Sequence, residues 1–158
     1  MIPAYNYPEN GRTNQYWNTV VQAGGSVPIL VANVNSGPGT AVKADYQTTL
    51  AKVKAAGSRV IGYVRTGYET KPVHKVLAEV DRWYALYGKD RIDGIFFDEV
   101  SNRYRTNGDK VCYFATIYNY VKARYGGITF ANPCSEISDE MAPYADVFVT
   151  AEYDANII

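Results

Sequence analysis

The most constraining feature of this sequence is a repeated punctuation. Four segments carry apolar residues at helical spacing: Gln15 to Ala23, Asp45 to Ala56, Val73 to Tyr87 and Lys110 to Tyr125. Each is followed at once by a glycine, Gly24, Gly57, Gly88 or Gly126. Glycine accepts the left-handed backbone in which helices end, so the four endings predict four helices. Strand-like runs lie between and around them: Ile2 to Tyr7, Val27 to Val34, Arg59 to Thr66, Ile92 to Val100, Ile128 to Asn132 and Asp146 to Tyr153. Strands and helices alternating every roughly 30 residues predict βαβ units and a parallel sheet buried on both faces. The fold class is α/β.

Two architectures compete. Length favours an open doubly wound sheet, because a closed barrel of eight strands typically needs about 250 residues and this chain has 158. Side-chain parity favours a barrel. Within Ile92 to Glu99, Ile95 and Phe97 share one side, whereas Gly94, Phe96 and Asp98 share the other. Within Asp146 to Glu152, Val147, Val149 and Ala151 share one side, and Asp146, Phe148, Thr150 and Glu152 the other. On this reading each purely apolar side faces the helices. The mixed side, ending in a carboxylate, then faces a barrel interior whose mouth lies at the strand C-termini.

Composition narrows the function. Sixteen basic and sixteen acidic residues cancel, and no Lys/Arg run could neutralise a row of phosphates, so nucleic acid is a poor partner. No apolar run approaches the roughly 20 residues that span a bilayer, and Met1 leads into a short apolar segment unlike a signal peptide. Cys112 and Cys134 are too few for a disulfide scaffold, lack zinc-ligand spacing and leave open whether they pair. Fifteen of the 22 aromatic residues are tyrosines, whose rings stack while their hydroxyls bond. Many must fill the core, but a tyrosine-lined surface also suits sugars.

The candidate chemistry lies at two strand ends. Asp98 and Glu99 close the apolar run Ile92 to Val100, and Glu152 closes Val147 to Glu152. A strand-end acid can simply cap the next turn. Two acids converging at the mouth of a parallel sheet, however, are the minimum equipment for glycoside hydrolysis: one protonates the leaving oxygen, the other attacks or activates water. Glu99 has the opposite parity from Asp98 and reaches the same place only if the strand bends at its end. The single histidine, His74, sits at a helix start after Pro72, which disfavours a Ser-His-Asp triad, a Cys-His pair or a histidine-rich metal site. Asn35 to Gly39 is Gly-rich but lacks the Gly-Lys-Ser/Thr ending that grips phosphate, and reads as a rigid βα turn. No cofactor and no metal site are expected. A groove at the strand C-termini would be lined by Tyr5, Tyr7, Asn33, Tyr63 and Asn132 beside the acids.

Five motifs occur in register along the chain: Ile2 to Pro8 with Trp17, Asn33 to Gly39, Gly62 to Tyr68, Gly94 to Val100, and Ala131-Asn132-Pro133. In order and spacing they resemble the spherulin-4 family, which is similar to (β/α) TIM-type barrel glycoside hydrolases, including secreted endo-acting enzymes that cut galactosamine-containing polysaccharides. The resemblance implies Asp98 as nucleophile, Glu152 as general acid/base and Glu99 as a third candidate. It also implies retention of configuration and an extracellular or cell-surface location. Two departures stand out. Cys134 replaces the family's usual glycine after Asn-Pro, and the chain stops where the family continues into its last strands. Residues 1–158 are therefore expected to form a single, incomplete barrel domain of six strands, truncated at the C-terminus, whose open edges invite self-association. The alternatives are a non-catalytic carbohydrate-binding or cell-surface module on the same fold and, more remotely, an open nucleotide-binding domain.

Overall fold

A computed structural model describes residues 1–8, 12–101 and 108–152, without side chains at 12–14 and 108–110. The elements follow one another as β1 (Ile2–Ala4), α1 (Arg12–Ala23), β2 (Ile29–Ala32), α2 (Ala44–Ala55), β3 (Arg59–Arg65), α3 (Val73–Tyr87), β4 (Gly94–Asp98), α4 (Gly108–Tyr125), β5 (Ile128–Ala131) and β6 (Val147–Phe148). All four helix-ending glycines carry a positive φ. The end of the expected sixth strand at Tyr153 lies outside the described residues.

The six strands are parallel and ordered β1-β2-β3-β4-β5-β6. A doubly wound sheet would reverse its order part-way and place helices on both faces. Here Trp17 and Val20 of α1, Tyr46, Leu50 and Val53 of α2, Val76, Val80 and Trp83 of α3, and Phe114, Ile117 and Val121 of α4 enter one core with Ala4, Leu30, Ala32, Val60, Val64, Ile95, Phe97 and Ala131 of the sheet. The opposite face carries a separate small cluster, Val31, Ile61, Tyr63, Phe96 and Phe130. Helices on the outer face and an apolar inner face make the structure a (β/α) half-barrel. The length-based expectation of an open sheet is overturned because sequential strand order lets one helix layer cover every crossover.

Small residues sit where elements cross most closely. A Cβ on Gly62 would lie 2.6 Å from the Trp83 indole, and one on Gly94 would lie 1.9 Å from the Ile128 carbonyl. Trp83 uses the space to donate from Nε1 to the Tyr63 carbonyl at 2.8 Å, tying α3 to β3.

Parity holds on β4 and is inverted on β6. Ile95 and Phe97 enter the helix-side core and Phe96 the inner cluster, as expected. On β6, however, Val147 pairs in register with Phe130, so Val149 packs on the inner cluster while Phe148 packs on the helix side. The cause is Asp146, which takes the helix side. There it accepts from the Thr129 N–H at 2.7 Å and pairs with Lys122 of α4, partners that the inner aromatic face does not offer.

Candidate active site

The strands deliver their C-terminal residues to one mouth, and the ends of β3, β4 and β5 build its centre. Asp98 follows Phe96 on the inner face of β4. Its Oδ2 accepts from the Tyr63 hydroxyl at 2.8 Å and its Oδ1 from the Asn132 Nδ2 at 3.0 Å. Asn132 Oδ1 accepts from the Cys134 N–H at 3.2 Å, an orientation that turns the amide nitrogen towards the acids. The same nitrogen donates to Glu152 Oε1 at 2.6 Å. One amide therefore bridges Asp98 and Glu152. The two accepting oxygens lie no more than 5.6 Å apart, the sum of the 3.0 Å and 2.6 Å bonds to the shared nitrogen.

The surroundings differ for the two acids. Asp98 accepts at both oxygens, from the Tyr63 O–H and the Asn132 N–H. Burial, and then the bond to Asp98, push the Tyr63 hydroxyl above its ordinary pKa, so it stays a donor. Glu152 is exposed and, among the described residues, accepts only from Asn132. The Tyr5 hydroxyl is likewise raised, by burial first and then by the charges of Asp98 and Glu152, which puts Tyr5 in the field of both. Between β1 and β6 opens a cavity of about 380 Å³, with Pro3, Tyr5, Val31, Phe96 and Val149 on its walls and Glu152 among its lining residues.

Backbone bonds fix the end of β4. Buried Thr66 donates from its N–H to the Asp98 carbonyl at 3.0 Å and from Oγ1 to the Glu99 carbonyl at 2.7 Å. The Tyr68 N–H reaches the same Glu99 carbonyl at 2.7 Å. Glu99 adopts φ 54°, a left-handed turn that swings its carboxylate onto Arg65 Nε at 2.6 Å. The bend that parity demanded of Glu99 is present, and it delivers the side chain to an ion pair beside Tyr63.

One expected groove residue, Tyr7, is placed elsewhere. The strand ends at Ala4, and Tyr7 turns to the helix side, where its ring meets Tyr46 edge-on at a centroid distance of 5.2 Å. Asn33 Oδ1 is held by the Gly37 N–H at 2.9 Å, closing the turn after β2. The turn expected at Asn35 to Gly39 is fastened by the Val34 and Asn35 N–H groups to the Gly37 carbonyl, and His74 is exposed in the first turn of α3. Cys112 and Cys134 are free and exposed. Among the described residues no cluster of His, Cys, Asp and Glu could hold a metal, and no helix is long and apolar enough to cross a membrane. Arg65 and Thr66 were missed. Extending the alternation of Ile61 and Tyr63 along β3 would have put Arg65 on the inner side.

The sequence description of spherulation-specific family 4 matches residues 1–157. The chain belongs to the spherulin-4 family. Spherulin-4 of Physarum polycephalum is 31% identical over 137 residues, which cover 84% of this chain and 38% of that protein. The crystal structure of Aspergillus clavatus Sph3 in complex with GalNAc superposes with a TM-score of 0.82 at 25% identity, covering 96% of this chain and 64% of that one. The chain thus spans under two thirds of either relative. This spherulin-4 family member shares its fold with a sugar-bound protein over nearly all of its length.

Proposed function

We propose that this chain carries a glycoside hydrolase site that cleaves an amino-sugar polysaccharide of the galactosamine type outside the cell, with Asp98 as nucleophile and Glu152 as general acid and base. The observation that carries the reading is the Asn132 bridge. Retaining glycosidases hold their carboxyl groups about 5 to 5.5 Å apart, whereas inverting ones leave about 6.5 to 9.5 Å for a water. Two oxygens sharing one amide nitrogen, at most 5.6 Å apart by the sum of the 3.0 Å and 2.6 Å bonds, fit the first class and leave no room for the second.

In this mechanism Asp98, held in place by Tyr63 and Asn132, attacks the anomeric carbon and forms a glycosyl ester. Glu152 gives its proton to the departing glycosidic oxygen. Glu152, now a carboxylate, then takes a proton from water as that water attacks the ester, and Asp98 leaves unchanged. Exposure of Glu152 suits a group that must exchange protons with solvent. No cofactor enters. Tyr5 and Asn132 border the reacting sugar, and Glu99 acts from the side through Arg65. The open mouth fits cutting within a chain, and residues 1–158 are read as one domain.

The test is proton NMR of N-acetylgalactosamine oligomers incubated with the protein. Appearance of a first-formed product with the configuration of the substrate supports the reading, and the opposite anomer would make the reaction inverting. Oligomer binding without any cleavage would leave the carbohydrate-binding module, a reading favoured by the slender hold on Glu152.

A further inference from the structure

We propose that Arg65, Tyr68 and Glu99 form a second sugar subsite on the β3 side of the carboxylate pair, taking a neighbouring unit of the same polysaccharide; this rests on the hydrolase or sugar-binding reading of the mouth. Among the described residues five large hydrophobic side chains are exposed: Met1, Tyr5, Val42, Tyr68 and Val147. Only two are aromatic, and both stand at the mouth. Tyr5 flanks the acids from β1. Tyr68, 60% exposed, flanks them from the loop after β3.

The Tyr68 backbone is held in place at a conformational cost. Gly67, Tyr68 and Glu69 all have positive φ, at 65°, 54° and 63°, a left-handed run that non-glycine residues disfavour. The run is fastened by Thr70 N–H to the Gly67 carbonyl and Lys71 N–H to the Thr66 carbonyl, both at 3.1 Å, and by Tyr68 N–H to the Glu99 carbonyl at 2.7 Å. Below it, the Ser101 N–H donates to Glu69 Oε1 at 2.8 Å. An aromatic in such a loop normally repays the strain by burying its ring, and this one does not. The fixed backbone instead presents the ring to solvent, bonded to the very residue that follows Asp98. Between that face and Tyr63 lies the Arg65–Glu99 pair, with the Arg65 side chain 58% exposed. A stacking plane beside a forked donor and a carboxylate matches a sugar ring with its apolar face and its hydroxyls.

Binding separates this subsite from the chemistry. Isothermal titration in an Asp98→Asn background, which spares the ligand, would compare the N-acetylgalactosamine monomer with an oligomer of about five units, long enough to cross both positions. Tyr68→Ala should weaken oligomer binding roughly tenfold and leave the monomer within about twofold, and Tyr68→Phe should restore the oligomer. Tyr68→Gly should lose oligomer affinity as Ala does while raising Tm, because glycine relieves the left-handed strain. Equal losses for both ligands, or none for either, would overturn the subsite, as would failure of every ligand to bind. If the unaltered protein cleaves oligomers while Tyr68→Ala binds them normally, the subsite falls and the hydrolase stands. If Tyr68-dependent oligomer binding occurs but nothing is cleaved, the hydrolase falls and the subsite stands.

Discussion

The ends of β4 and β6 carry the two acids of the proposed site, and they are built by different means. β4 is a five-residue strand paired on both sides, and its last carbonyls are clasped by buried Thr66 while the Asp98 carboxylate is gripped by Tyr63 and Asn132. β6 pairs over two residues, and Glu152 lies four positions beyond its end, held by Asn132. A nucleophile must meet the anomeric carbon at a fixed position, so a rigid mount suits it. An acid/base gives a proton to the leaving group and regains one from water in each turnover, so a loose, wet mount suits it. The difference teaches that the two roles can be assigned from how each carboxylate is held.

Exchanging each acid for its amide should expose that asymmetry most strongly. Asp98→Asn should lower polysaccharide cleavage about 10⁴-fold or more, since an amide at this position cannot form the ester. It should keep its fold, because the new amide can donate its N–H to the Tyr63 hydroxyl while its carbonyl still accepts from Asn132. Glu152→Gln should keep its fold, turning its carbonyl towards Asn132. Its cleavage of the polymer should fall roughly 10²- to 10³-fold, but far less for aryl glycosides whose leaving groups need little protonation. Nearly normal cleavage by Asp98→Asn would reverse the assignment and turn attention to Glu99.

The contrast between the strands also explains what could be read in advance. Ile95, Phe96 and Phe97 obey alternation because β4 is long and paired on both sides, so its period of two survives into the fold. Alternation on Val147 to Glu152 misled because register alone decides the side of a two-residue strand, and register followed Asp146 to Lys122 and Thr129, contacts that need α4 and β5 in place. Glu152 still arrives beside Asp98, through non-strand backbone rather than the parity that suggested it. Tyr7 was misplaced for the same reason, since its strand ends three residues earlier. The glycines that follow each helix were legible because a positive φ is a local demand. The Asn132 bridge was not, because a shared donor is a property of three strand ends together.

Asn132 is where the two mounts meet, and its removal ranks next. Asn132→Ala should lower kcat about 10²-fold with KM little altered, because Asp98 loses a donor and Glu152 its one anchor. Tm should fall too, by the equivalent of about 1–3 kcal/mol. A change in KM alone would show that Asn132 binds sugar without positioning the acids.

A pH titration probes the far end of β6. Burial acts to raise the Asp146 pKa, but Lys122 and the Thr129 N–H and hydroxyl outweigh it, and the net shift is downward from 3.8. A depressed folded-state pKa means that the contribution is present above the unfolded value and is lost as pH falls through the folded one. Stability should therefore drop below about pH 3.8 in the native protein, with the Asp146 share of that drop absent in Asp146→Ala. Because the Lys122 pair is partly exposed, the share should amount to no more than about 1 kcal/mol. Superimposable acid-unfolding curves for the two proteins would remove Asp146 as the clamp of β6.

Cys134 offers the smallest and cleanest test, because it supports the bridge only through its backbone. Its N–H orients the Asn132 amide, yet its φ of 51° is one that a residue with a side chain adopts at a cost. The sulfur is exposed and free, so the thiol contributes neither packing nor a disulfide. Glycine would keep the N–H and remove the strain. Against this, glycine gives the unfolded chain more freedom to lose, which offsets part of the gain. Cys134→Gly should therefore raise stability by about 0.5–1 kcal/mol, a Tm increase of about 1–4 °C for a chain of this size. Cleavage by Cys134→Gly should stay unchanged, as the bond to Asn132 does not involve the side chain. A fall in kcat at unchanged Tm would mean that stiffness at position 134 is itself what holds the amide towards the two carboxylates, making the strain part of the β5 mount.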